Sequence, residues 1–135
     1  MDELKRLEVQ AWLVKAQHDL ESGEWLSKKT VPLLDTGIYH FQQAAEKAIK
    51  AFLVYNDLRP PKTHDLAVLL VNAGRFTPNY LALAGAADRL TDYAVEFRYP
   101  GVQLEPTQAE YDQAFQDAGE FMRLTLALLP PETHP

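Results

Sequence analysis

Cysteine is absent from the 135 residues. That removes disulfide frameworks and thiolate metal sites together, and nothing suggests an oxidising compartment. No apolar run approaches the length of a membrane span. The opening Met1-Asp2-Glu3-Leu4-Lys5-Arg6 alternates charge with apolar residues, unlike the basic-then-apolar pattern of a signal peptide. A cytoplasmic protein is expected. There is no glycine-rich phosphate loop, no HExxH and no paired Glu-x-x-His pattern of a metal bundle, so neither a metal nor a cofactor is expected. The only serines are Ser22 and Ser27, and neither is in a nucleophile setting. Positive charge is the minority: 13 Lys plus Arg stand against 19 Asp plus Glu, a formal net charge of −6. Neutralising several phosphates needs clustered cations, so a broad nucleic-acid-coating surface is excluded, while a small local basic site is not.

What remains is helical patterning. Hydrophobic residues make up 47% of the chain, ample for one core in a single domain of residues 1–129 with a tail at 130–135. The stretch from Tyr39 to Leu53 is the clearest element. Ile38, Phe41, Ala45, Ala48, Ile49 and Phe52 fall on one side at buried-helix spacing, with Tyr39, Gln43, Glu46 and Lys50 on the other. Its alanines let another helix approach closely, as suits the central helix of a bundle.

A first helix is predicted from an Asp2 cap to about Leu26, with the stripe Val9, Trp12, Leu13, Ala16, Leu20 and Gly23. Asp19 lies on that stripe, so it should face the interior or a cleft. A buried charge needs a partner, which makes it either a structural carboxylate or a site residue. Pro32 and Gly37 break the chain before the second helix, capped by Asp35 or Thr36 and running to about Tyr55. Pro60-Pro61 forbids continuation. Thr63 is expected to cap a short helix over 64–73, stopped by Gly74. Thr77-Pro78 should begin a fourth, with the face Leu83, Ala86, Ala87, Leu90, Ala94 and Phe97, broken at Arg98-Tyr99-Pro100-Gly101. Thr107 and Glu110 form a capping box for a fifth, ended by Pro130-Pro131. The predicted fold is all-α: an up-and-down bundle of four main helices plus a short helix between the second and fourth. Trp12, Trp25, Phe41, Phe52, Phe97 and Phe115 are expected in its core.

Four pieces in order then carry a resemblance. Trp12 with Ala16-x-x-Asp19-Leu20, the run Tyr39-His40-Phe41-Gln42-Gln43-Ala44-Ala45-Glu46-Lys47-Ala48, Thr63-His64-x-Leu66 and Arg98-Tyr99-Pro100 resemble the HEPN family over roughly residues 5 to 125. The resemblance implies a bundle of four or five helices, commonly a homodimer, frequently encoded beside a minimal nucleotidyltransferase as half of a two-component module. Many members are metal-independent ribonuclease toxins. That branch places an Arg late in the bundle, followed four to six residues later by a His. Here no His follows Arg98 until His134, while Arg59 and His64 have the separation but flank two prolines on a loop.

Three readings follow. In the first, the chain is a binding module for a nucleotide or RNA, and a nucleotidyltransferase partner in a toxin-antitoxin-like pair, without chemistry of its own. Arg98 and the adjacent Tyr99 contact the ligand, Lys47 and His64 assist, and Asp19 orients Arg98 or the base. In the second it is a ribonuclease toxin with an atypical site, His64 acting as general acid/base and Arg98 or Arg59 stabilising the phosphorane. In the third it is a purely structural interaction protein in which Asp19 and Arg98 form a buried ion pair. Separately, Asp19 and Arg98 are expected to lie within salt-bridge distance or to be joined through His64 or a tyrosine, lining a polar pocket.

Overall fold

Asp2 opens the first helix by accepting the Lys5 amide at 2.8 Å, filling one of the donors that a helix start leaves orphaned. The computed structural model describes residues 1–101 and 105–135. Among them there is no strand, and the main helices are α1 (Glu3–Leu26), α2 (Leu34–Tyr55), α3 (Leu66–Ala73), α4 (Ala84–Thr91) and α5 (Gln108–Leu128). Among the described residues no helix is long and apolar enough to cross a membrane.

Helix α2 is the axis of the bundle, packed by α1, α5, α3 and α4. Phe41 stacks on Phe115 with centroids 5.2 Å apart and tilts against Tyr111 at 5.0 Å, while Phe52 meets Tyr80 edge-on at 5.1 Å. The crossing of α1 over α2 is set by glycine. A Cβ on Gly23 would lie 2.7 Å from Phe41 Cδ1 and 2.9 Å from the Gly37 carbonyl. Gly23 also offers its carbonyl to the Tyr111 hydroxyl at 2.7 Å, which joins α1 to α5.

Several boundaries differ from expectation. Helix α2 starts at Leu34 with no side-chain cap, and Asp35 lies inside its first turn, where a carboxylate still suits the helix dipole. It ends before the prolines, in a Schellman turn: the Leu58 amide reaches the Leu53 carbonyl at 3.0 Å and the Asp57 amide that of Val54 at 3.0 Å, with Asp57 left-handed at φ 61. The cap of α3 is Asp65, which accepts the Ala67 amide at 2.9 Å, so His64 precedes the helix. The fourth helix is segmented into a 3-10 turn at Asn79–Leu83, α4, and a second 3-10 turn at Asp92–Ala94. Thr91 explains the second break, because its hydroxyl donates back to the Ala87 carbonyl at 2.7 Å and accepts from the Leu66 amide at 3.2 Å. The α5 capping box forms as predicted, with both bonds at 3.0 Å. Trp25 is 69% exposed, contrary to its expected core place: it sits about 200° round the helix from Gly23, off the stripe. Residues 131–133 make a 3-10 turn, and the segment docks on α1 through Gln10 to the His134 carbonyl at 2.8 Å.

Candidate functional site

His40, Gln43, Lys47 and Lys50 recur along α2 at steps of three, four and three, which places them on one flank of the helix. Helix α1 brings Asp19 against that flank. Its Oδ1 accepts from His40 Nδ1 at 2.8 Å and its Oδ2 from Lys47 Nζ. Burial alone would raise the Asp19 pKa. The bonds from His40 and then Lys47 outweigh it, so the carboxyl is held below its ordinary value. An ionised carboxylate only accepts, so His40 Nδ1 carries the proton and Nε2 is the nitrogen left for another partner.

A second carboxylate sits further along the same helix. Glu46, 4% exposed, accepts from Lys50 Nζ at 2.9 Å, His64 Nδ1 at 2.7 Å and Gln42 Nε2 at 3.2 Å. Gln42 also donates to the His64 carbonyl at 3.1 Å, which fixes the chain leading into α3. Lys50 lies over the Trp12 ring, 5.8 Å from its centroid. The side of α2 that reads as polar is therefore buried at Gln43, Glu46 and Lys50, and its charges are internally paired.

Beside the Asp19 cluster a recess of about 350 Å³ opens between Asp35, Thr36, Tyr39, His40, Phe97 and Arg98. The Arg98 guanidinium lies 4.0 Å from the centroid of the Tyr39 ring, held by an aromatic face. Among the described residues no carboxylate forms an ion pair with it. Asp35, on the rim, spends one oxygen on the Thr36 amide at 2.8 Å. The recess thus combines unused guanidinium donors, a ring nitrogen and a hydroxyl, a set suited to a phosphate or another planar anion. Among the described residues no three His, Asp or Glu side chains converge as metal ligands.

The sequence model of the HEPN domain matches residues 9–128. The chain belongs to the HEPN domain family. No curated protein matches it. Two solved structures share its fold. TT1696 from Thermus thermophilus is 22% identical with a TM-score of 0.74, the match covering 91% of this chain and 99% of that one. An archaeal HEPN homologue is 21% identical with a TM-score of 0.70, covering 89% and 96%.

The HEPN fold distributes the sequence candidates unevenly. Asp19 and Lys47 are joined, and Asp19 faces inward as its spacing predicts. The expected Asp19–Arg98 ion pair is not formed. The two stand on either side of the Tyr39–His40 edge contact, whose centroids are 5.6 Å apart, because His40 reaches the carboxylate first. His64 side-chain exposure is 67%, and its anchors on α2 are Gln42 and Glu46. Arg98 is anchored at Tyr39, seven residues from Glu46 and about 10 Å along the axis, so His64 and Arg98 belong to different clusters. Tyr99 is exposed and lines an adjoining hollow with Arg98 and Glu105. Arg59 is exposed on the loop that leads to His64. The sequence assigns Tyr39, His40 and Lys50 to no site, although His40 and Lys47, seven residues apart, share a flank of α2 that the structure brings against Asp19.

Proposed function

We propose that this HEPN protein is a binding module for a phosphate-bearing ligand, a nucleotide or an RNA end, seated in the Tyr39–His40–Arg98 recess. The observation that carries the proposal is the Arg98 guanidinium, stacked on Tyr39 with no acidic partner among the described residues and next to the Nε2 of His40. Arg98 takes the phosphate, His40 adds a hydrogen bond, Tyr39 or Tyr99 offers a face for a base, and Asp19 with Lys47 holds His40 in place. A cytoplasmic homodimer acting beside a minimal nucleotidyltransferase in a two-component, toxin-antitoxin-like pair is the setting that suits such a module. The chain is read as having no chemistry of its own, since the His64 ring bonds Glu46 while the Arg98 guanidinium lies on Tyr39, seven residues earlier in α2.

Calorimetric titration with AMP, ATP and a short single-stranded RNA tests this. Binding that is lost in Arg98→Gln and weakened at least tenfold in His40→Gln is expected. Absence of binding to all three ligands favours a purely structural role. RNA cleavage that disappears in His64→Ala favours the ribonuclease reading instead.

A further inference from the structure

The recess that holds Arg98 also holds a carboxylate, and the two do not pair. Asp35 and Arg98 both line it, and with Phe97 they also line the adjoining hollow of about 380 Å³. Among the described residues no ion pair joins them. Each is kept in place by its own anchor. Asp35 is half-buried, and its Oδ1 accepts from the Thr36 amide at 2.8 Å and the Thr36 hydroxyl at 3.4 Å. Arg98 rests on the Tyr39 ring. Asp35 and Tyr39 are four residues apart on one face of α2, so the carboxylate stands about 6 Å along the axis from the residue that carries the guanidinium. We propose that Asp35 is a specificity-determining residue of this recess: it accepts hydrogen bonds from the free ribose hydroxyls of a nucleotide whose phosphate lies on Arg98, and it repels a second phosphate on that ribose. The inference rests on the reading of the recess as a nucleotide site, and it narrows the ligand to a 5′-mononucleotide or the 3′-terminal nucleotide of a chain.

The argument is one of complementarity to two opposite charges held apart. A bare anion gains from Arg98 but meets a fixed negative charge one helical turn away. A ribonucleotide places donors there instead. Its 2′ and 3′ hydroxyls lie on adjacent carbons, one sugar ring from the 5′ phosphate. Two adjacent O–H donors match a carboxylate, which only accepts and has lone pairs to spare beyond those taken by Thr36. The pairing edge of the base lies further out, beyond the glycosidic bond, so the sugar is the part that reaches Asp35. An internal nucleotide of a chain carries a phosphodiester on its 3′ oxygen. That removes one donor and sets like charges against each other, so the carboxylate that takes the end of a chain rejects its middle.

Calorimetric titration of the full chain with three ligands tests this: AMP, adenosine 3′,5′-bisphosphate, and the 2′,3′-dideoxy analogue of AMP. The wild type should bind AMP about tenfold more tightly than either of the others, although the bisphosphate carries the greater negative charge. Asp35→Ala should bring AMP down to the level of the dideoxy ligand and make the bisphosphate the tightest of the three. Asp35→Asn, which still accepts from a hydroxyl but carries no charge, should keep AMP above the dideoxy ligand while it also admits the bisphosphate. A helix merely disturbed by the substitutions would weaken all three ligands alike, and that outcome overturns the proposal. So does a wild type that binds the bisphosphate as tightly as AMP, or one indifferent to loss of the hydroxyls. A wild type that binds none of the three overturns the reading of the recess as a nucleotide site as well.

Discussion

Asp19 of α1 and His40 of α2 share a 2.8 Å hydrogen bond, and the second oxygen of Asp19 is taken by Lys47. A carboxylate on an apolar stripe is thereby satisfied by two donors from one neighbouring helix, and the helix pair is locked in rotation as well as in position. Breaking a buried pair costs about 3 to 5 kcal/mol and an exposed one about 0 to 1. With Lys47 and His40 each about a quarter exposed, Asp19→Asn is expected to lose about 2 kcal/mol in denaturant melts. Double-mutant cycles should show coupling between Asp19 and His40 and additivity between Asp19 and Arg98. Strong Asp19–Arg98 coupling would contradict this arrangement.

The same carboxylate predicts a pH dependence. Its folded pKa lies below the ordinary 3.8, so the stability it contributes is complete above that value and is lost as pH falls through the folded pKa. The gap in stability between wild type and Asp19→Asn should be constant near neutrality and should shrink below pH 3.8. A gap that widens on acidification would give the shift the opposite sign.

Gly23 makes a separate prediction about packing. A methyl group there would press on the Phe41 ring and the Gly37 carbonyl, and backbone cannot yield as a flexible side chain can. Gly23→Ala should destabilise the protein by about 1 to 3 kcal/mol, although alanine is the better helix former by about 1 kcal/mol. A thermal melt at or above the wild-type midpoint would show that α1 and α2 have room to separate.

Tyr80 and Thr125 form a buried hydroxyl pair at 2.8 Å, joining the 3-10 turn to α5. Thr125→Val leaves the Tyr80 hydroxyl without its partner, at an expected cost of about 1 to 3 kcal/mol. Burial also raises the Tyr80 pKa above its ordinary 10.0. Its contribution is therefore intact below pH 10.0 and declines as pH rises beyond it. Alkaline melts of Tyr80→Phe should lack that part of the decline.

The elements legible in the sequence are those decided locally. Asp2, Thr107 and Glu110 cap as their spacing requires, and the inward position of Asp19 follows from its place seven residues after Trp12. The partner of Asp19 was not legible, because it depends on how α2 is rotated against α1, a long-range outcome. Glu46 and Lys50 read as the polar side of α2, yet they are buried and paired with each other, with the Lys50 ammonium 5.8 Å from the Trp12 ring centroid, which polarity patterns do not register. The fourth helix read as continuous because its apolar face is regular. The back-bond from Thr91 to Ala87 coincides with its interruption, and Arg98 lies beyond the break against Tyr39. The membership of the family was legible in full.

Ligand-detected shifts at the recess itself test the central claim most directly. Proton–nitrogen NMR spectra of labelled protein titrated with AMP should move the Arg98 Nε–H resonance, the His40 ring signals and the Thr36 and Tyr39 amides, with saturation, while His64 and the α3–α4 flank stay still. Shifts confined to His64 and Glu46, or no saturable change at Arg98 with either AMP or short RNA, would contradict the assignment of this recess as the binding site.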